Sequence, residues 1–561
     1  WEEVLNMSDK DHIWIPKLKQ QLSDRLISRR EFVRYSTLLG MSAGAAYMWA
    51  GKITGEPFAP PARAQDMPKG GTIKVSMRVP KVDNPHTFSW AFDSNIVRQT
   101  QGYLTRTGPD NITRPHLASK WEVSPDLKSW TFTIADINWH DGEPFTAEDA
   151  AWNIKHTLDP ATGSSVLGLL EAVLLKVTET GEKNEKGEPV KKYELWDANA
   201  IEIKDPKTLV LNLQTANIAL PESFFHYPFL MLDPKEGGTF KVGSRGTGAF
   251  TLVEHEEGRK AVVKAIEGRG AHVDSVEFID LGDNPPATAA AIQSNQVHLA
   301  YNANVEQLDL YKGMSHIDVV ETVTAQTAVA RMRLDQKPFD DPKVRKAFRL
   351  ATENAPVLQI AHKGLGEIAE HHHVARIHPE YFKVPEMKRD VEAAKKLLAE
   401  AGFANGLETE IVCKPEPTWE QAAVETLVGQ WKEAGLNVKI NLMPSAKFWE
   451  VWDKVPFGFT EWTHRPLGIM VLGLAYRTGV PWNESAYSNK QFDELLTKAE
   501  GTLDVKARSE IVGELEKIMQ EDGPIVQPLW RSIIFPVDKK VKGFTGHPTR
   551  YFFCEEWGIE A

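Results

Sequence analysis

Apolar and polar positions alternate along much of the first half of the chain. Trp130, Phe132 and Ile134 alternate with Thr131 and Thr133, the period of a half-buried strand. Leu209, Leu211 and Leu213 repeat the pattern after Asp205-Pro206, and with Ile201 and Ile203 they predict a hairpin. Thr72–Met77, behind the Gly70-Gly71 turn, is a further strand-like run. Thr146-Ala147-Glu148-Asp149 has the form of a capping box and predicts a helix through Trp152 and Ile154. The polar, Lys/Glu-rich stretch Gly181–Gly187 reads as a hairpin tip.

From about residue 390 the period changes. Asp390 can cap a helix that carries Val391, Ala394, Leu398 and Ala401 on one face, with Gly402 at its end. Leu407, Thr409, Ile411 and Cys413 then alternate as a strand. Thr418-x-x-Gln421 predicts a helix bearing Val424, Leu427 and Trp431 and ending near Gly435. Val438, Ile440 and Leu442 alternate again, so strand, helix and strand form a βαβ unit with parallel strands. A sheet-rich first half and an α/β second half predict two unlike α/β lobes.

The N-terminus reads as an address. Ser28-Arg29-Arg30-Glu31-Phe32-Val33-Arg34 precedes a mildly apolar stretch, Tyr35–Ala50, and then a Pro/Ala segment ending Ala62-Arg63-Ala64. Charged region, apolar region and A-x-A site, in that order, predict a twin-arginine (Tat-like) signal peptide over residues 1–64. The apolar stretch is short for a membrane span, which needs about 20 residues. Met7-Ser8-Asp9 has the look of a natural start.

Composition narrows the function. The formal net charge of -12 argues against a nucleic-acid partner. The two cysteines, Cys413 and Cys554, read as free buried thiols, with a long-range disulfide left open. Enzyme motifs are thin: GxSxG, the P-loop and HExxH are absent. Gly243-x-x-Gly246-x-Gly248 has the wrong spacing for a dinucleotide loop and reads as a turn before the strand Ala249–Val253. His371-His372-His373, with His378 nearby, is the most metal-like feature, but adjacent histidines cannot all face one ion, and a polar loop is the better reading. No cofactor is expected. Glu461-Trp462-Thr463-His464-Arg465-Pro466 and Trp482-Asn483-Glu484 read either as a packed tryptophan beside a solvated loop or as a ligand wall, a flat aromatic platform with directed polar groups.

Four blocks carry a family resemblance. They are Leu117–Asp126 leading through Trp130-Thr131-Phe132 into Trp139–Asp149, then Lys337–Phe348, then the helix Ala393–Gly402, then Pro524–Trp530. Together they resemble the family-5 solute-binding proteins, the peptide/nickel/opine receptors of ABC importers. The resemblance implies a two-lobed periplasmic-binding-protein-like α/β fold of the large, three-subdomain type, with a ligand cleft between lobes. It places residues 65–324 and 531–561 in the first lobe, including an inserted subdomain, and residues 325–530 in the second. It implies an exported periplasmic monomer that takes a peptide-like or modified amino-acid solute to a membrane permease and its ATPase, without catalysis. An opine, a sugar phosphate or a metal chelate is the alternative ligand; an exported hydrolase and a chemoreceptor-coupled sensor are the more distant readings. By resemblance Trp90, Ala91, Tyr301, Asn302 and Trp462 are ligand-binding positions, and the aromatic and polar cluster adds His464, Arg465 and Trp482 to them. After Trp462, where peptide receptors carry an aspartate for the peptide ammonium, this chain has Thr463-His464-Arg465. An arginine there predicts grip on a carboxylate or phosphate.

Overall fold

One mixed sheet runs from lobe to lobe in the computed structural model, which describes residues 12–55, 67–183, 189–282, 284–301 and 303–561. Its strand order is Phe250–Glu256, Lys260–Ala265, Ser275–Ile279, Thr72–Ser76, Leu299–Ala300, Leu529–Asp538, Ile317–Met332, Phe457–Trp462, Leu407–Cys413 and Leu436–Leu442. The long central strands Ile317–Met332 and Leu529–Asp538 lie antiparallel, and their register breaks between Thr322 and Gln326. Two cores form on either side of that break. Ile533, Phe535 and Val537 pack with Ile73, Val75, Val276 and Phe278. Ala328 and Ala330 pack with Phe348, Ile411, Trp431 and Phe457. The two strands carry the chain between these cores, and a further apolar core spans both lobes, joining Trp130 and Leu170 to Trp462, Leu472 and Leu515.

The alternating runs form the strands their period predicts. Ser129–Ile134 sits inside a four-stranded antiparallel sheet, between Ala118–Val123 and Thr208–Asn212, with Ile201–Asp205 at the edge. Thr146 and Asp149 close the capping box of the helix Ala147–Leu158. In the second lobe Leu407–Cys413 pairs in parallel with Leu436–Leu442, and the helix Thr418–Glu433 makes the crossover. The Asp390 carboxylate accepts from the Ala393 N–H at 2.8 Å, and Gly402 takes φ +92 at the other end of that helix.

The start of the helix Thr418–Glu433 differs from the expectation. Pro417 is the N-cap, and Thr418 is the first helical residue. Its hydroxyl donates to the Glu306 carboxylate at 2.7 Å and accepts from Asn304 Nδ2 at 2.9 Å, a contact between the lobes. The Gly246 and Gly248 pair is explained by close approach: a Cβ there would stand 2.0 Å from the Thr100 carbonyl and 2.4 Å from that of Gln99.

The leader-like stretch folds as three helices, Ile15–Ser23, Arg29–Leu38 and Ala43–Thr54. Gly40, at φ +94, interrupts the apolar run where a Cβ would meet the Trp121 carbonyl at 2.5 Å. Phe32, Val33 and Leu38 enter a core shared with Trp121, Trp130 and Leu515. Trp121 Nε1 donates to the Leu38 carbonyl at 2.9 Å, and Arg34 Nε donates to that of Asn111 at 2.9 Å. The Ala62-Arg63-Ala64 site, Met7 and Asn302 lie outside the described residues. Among the described residues no helix is long and apolar enough to cross a membrane. Cys413 and Cys554 are free and buried in the cores of opposite lobes, and burial pushes the Cys413 thiol up to about 12.

Candidate functional site

The carboxyl end of the strand Leu407–Cys413 opens onto a cleft between the lobes, where α/β proteins place ligands. The cleft encloses roughly 1400 Å³, part of it open to solvent. The first lobe lines it with Arg78, Trp90, Ala91, Phe92, Tyr301 and Arg550. The second supplies Lys414, Trp419, Trp449, Glu461 and Thr463, and Arg531 stands on the central strand Leu529–Asp538 where the lobes meet. The rings of Trp90 and Trp449 meet across the mouth at 4.2 Å and 65°. With the contact of Thr418 to Asn304 and Glu306, this makes the conformation a closed one.

Charge in the cleft is paired but not balanced. Arg531 Nη2 bonds Glu461 at 2.7 Å and donates to Gln326 Oε1 at 3.0 Å, while its guanidinium lies 4.6 Å from the Trp419 ring centre. Lys414 Nζ lies 2.9 Å from Glu420 and 4.6 Å from the Trp449 ring centre. Burial alone would raise the Glu461 carboxyl, but Arg531, Lys414 and Arg550 outweigh it and hold the group below the usual carboxylate range. Burial instead wins at Glu420, pushed up to about 7 despite Lys414. The lining thus presents the cations Arg78, Lys414, Arg531 and Arg550 against the acids Glu416 and Glu461.

Of the positions expected at the ligand, Trp90, Ala91 and Tyr301 border this cleft. Trp462, His464, Arg465 and Trp482 stand behind it. The strand Phe457–Trp462 points successive side chains to opposite faces. Glu461 and Thr463 face the cleft, so Trp462 faces the other way. There Glu484 accepts from Trp462 Nε1 at 2.8 Å and from the Thr460 hydroxyl at 2.7 Å, and pairs with Arg331 at 3.1 Å. Trp482 packs against Trp462 and Tyr227, with ring centres 6.0 Å and 6.3 Å away. His464 bridges the lobes: its Nδ1 accepts from the Ala325 N–H and its Nε2 donates to Asn111 Oδ1, both at 3.0 Å. Arg465 is buried, and its guanidinium carbon lies 5.4 Å from the Tyr227 ring centre.

An acid does stand beside Trp462, one residue before it: Glu461 borders the cleft. Arg531, Arg550 and Trp449 carry no signal of their own in the sequence. Lys414 alone could be found, because it follows the predicted strand at its carboxyl end. The histidine run is held by separate partners. Nδ1 of His371 accepts from the Gln527 N–H at 3.0 Å, His373 Nδ1 lies 2.6 Å from the Tyr476 hydroxyl, and His378 Nε2 donates to the Arg465 carbonyl at 2.9 Å. Among the described residues no group of three or more histidine, cysteine or acidic side chains is arranged to hold a metal.

Comparison with known proteins agrees with this architecture. The profile described as "Bacterial extracellular solute-binding proteins, family 5 Middle" matches residues 113–472. The dipeptide-binding protein DppE of Bacillus subtilis is 25% identical over 497 residues, covering 82% of this chain and 86% of that one. The glutathione-binding protein GsiB of Escherichia coli K12 is 23% identical over 479 residues, covering 79% and 86%. Among solved structures, the A. tumefaciens R10 protein AgaA in complex with agropinic acid superposes with a TM-score of 0.75 at 21% identity, covering 88% of this chain and 99% of that one. A two-lobed α/β body with its cleft between the lobes, and a family profile across most of that body, lead to one conclusion: the chain belongs to the bacterial extracellular solute-binding proteins of family 5, the substrate-binding subunits of importers.

Proposed function

We propose that the chain is the periplasmic receptor for a peptide-like or modified amino-acid solute that carries at least one carboxylate beside an apolar or aromatic body. The observation that carries this is the cleft lining, four cations against two acids between indole faces. The ionised Glu461 offers an acceptor for a ligand ammonium, so a free amine is compatible with the site. Arg78 and Arg550 suit the carboxylate, and Trp90, Trp419 and Trp449 suit the apolar part. That DppE and GsiB are named for a dipeptide and glutathione, and that AgaA holds agropinic acid, supports the same class. The lobes hinge at the register break of the two central strands, near 324–325 and 530–531, and close on the solute; the closed form is what the permease complex then receives. The receptor acts as a monomer and performs no catalysis.

Native mass spectrometry of the purified protein, followed by calorimetric titration of whatever co-purifies, tests the reading. A co-purifying amino-acid derivative with a carboxylate supports it. A neutral sugar or an uncharged polyol in the cleft overturns it.

Export by the twin-arginine route belongs to the same proposal, with Arg29-Arg30 read by the translocon. Arg29→Lys with Arg30→Lys should leave the protein in the cytoplasmic fraction; normal periplasmic yield from the double variant would refute the route.

A further inference from the structure

A second, smaller cavity lies behind the cleft on the seam between the lobes. Asn111 and Glu222 border it from the first lobe, His464 and Arg465 from the second. Neither Asn111 nor Arg465 borders the solute cleft.

Arg465 is 4% exposed, yet among the described residues it has no ion-pair partner. Its Nη1 donates to the Thr463 hydroxyl at 2.6 Å and to the His464 carbonyl at 3.0 Å. Its Nε and Nη2 are buried without an acceptor. A guanidinium taken out of water without a counter-charge is strongly disfavoured, and native proteins satisfy buried donors. Asn111 adds another donor of the same kind. Its Oδ1 is taken by His464 Nε2–H, because Nδ1 of that ring already accepts from Ala325 N–H. This fixes the amide orientation and leaves Nδ2 buried with no partner. The Glu222 carboxyl, 2% exposed, has neither oxygen bonded. Burial pushes it up to about 8, so near neutral pH it mostly keeps its proton and presents an O–H. Burial likewise keeps His226 and His464 neutral. The cavity is thus walled by unclaimed donors around a single formal positive charge.

We propose that this cavity binds a small monovalent anion of about chloride size, gripped by Arg465 Nε and Nη2 and by Asn111 Nδ2. The donors come from both lobes, so the site exists only when the lobes are closed. The anion is then a second, solute-independent tie across the seam, and it shifts the population toward the closed form.

Crystals of the full chain soaked in sodium bromide, measured at the bromine absorption edge, test the site directly. An anomalous peak between Arg465 and Asn111 is expected. Water alone at that position, or Arg465 turned onto a protein carboxylate, overturns the proposal. The tie is tested separately by small-angle scattering without added solute, in chloride and in gluconate of equal ionic strength, gluconate being too large for the cavity. The radius of gyration should be smaller in chloride, and Arg465→Gln should remove the difference. Equal radii for the unaltered protein in the two salts would sink the coupling. If the variant does not fold, the bromide measurement on the unaltered chain still decides whether the anion binds.

Discussion

The two seams between the lobes are built from opposite materials. The front cleft carries charges in contact with one another, Glu461 with Arg531 and Lys414 with Glu420, beside indole faces and open space. The rear seam carries chiefly rings and neutral imidazoles, Trp462, Trp482 and Tyr227 with the buried His226, His373, His378, His464 and His547, and its charges, Arg465 and the Arg331–Glu484 pair, are sealed from water. A receptor needs both kinds of surface. The front must stay polar enough to exchange water for a solute, so its charges remain partnered and reachable. The rear gains from closure only by removing surface from water, which favours apolar and neutral groups. On the proposed reading, specificity belongs to the front and much of the energy of the closed form to the rear.

Trp462→Ala should show the largest separation of the two roles. The indole is 4% exposed, packed in a core and bonded to Glu484, so its loss should lower stability by about 3–5 kcal/mol. Denaturant unfolding measures this. If stability is unchanged while solute binding disappears, Trp462 acts at the ligand and the assignment of the two seams is reversed.

Arg531→Ala tests the front. It should weaken binding of the co-purifying solute by about 2–5 kcal/mol, or roughly 30- to several-thousand-fold, partly because Glu461 is left without its partner. Calorimetry at fixed salt reads the effect. A loss below threefold would mean that Arg531 serves only to hold Glu461.

Acidification should act on the rear. Burial holds His226, His373 and His464 well below 6.5, and His378 and His547 down to about 3. The unfolded chain takes up these protons below about 6.5 while the folded one does not. Stability is therefore fully present above that pH and falls as pH drops toward 3, by about 1.4 kcal/mol per pH unit for each such histidine. Thermal unfolding from pH 7 to pH 5 should show the decline, and His464→Gln should flatten it by one histidine's share. A decline that His464→Gln leaves unchanged would mean that the seam opens and hydrates that ring.

The sequence carries the lobes better than the cleft, and particular residues show why. Leu407–Cys413 and Leu436–Leu442 are legible because alternation and capping are local properties. Trp462 is legible as part of a ligand-wall strand, but its direction is not. The strand Phe457–Trp462 is covered on both faces, so five of its six residues are fully buried and no alternation tells one face from the other. A one-residue difference then exchanges Glu461 for Trp462 at the cleft. Lys414, Arg531 and Arg550 meet only because distant chain segments return to the central strands, and nothing local marks the two arginines. The segment 28–50 shows the same limit in another form. Its charge order reads as an address, whereas the way Phe32, Val33 and Leu38 pack against Trp121 depends on surfaces made elsewhere in the chain.

The smallest expected effect lies at the mouth of the front cleft. Trp90 is half-buried and meets Trp449 of the other lobe edge to face. Lys414 Nζ lies 4.6 Å from the Trp449 ring centre and 5.9 Å from that of Trp90. Aromatic pairs of this geometry contribute about 0.5–1.5 kcal/mol beyond their buried area. The contact exists only in the closed form, so Trp90→Ala should weaken solute binding by about 2- to 12-fold. The change should appear mainly as faster release, because closure follows capture and the mouth governs exit. Unfolding in the absence of solute should change little, since Trp90 stands outside the apolar cores that hold either lobe. Stopped-flow release of the bound solute separates the outcomes. A loss as large as that of Arg531→Ala, with association slowed as much as release is quickened, would make Trp90 a stacking platform for the ligand instead of a latch between lobes.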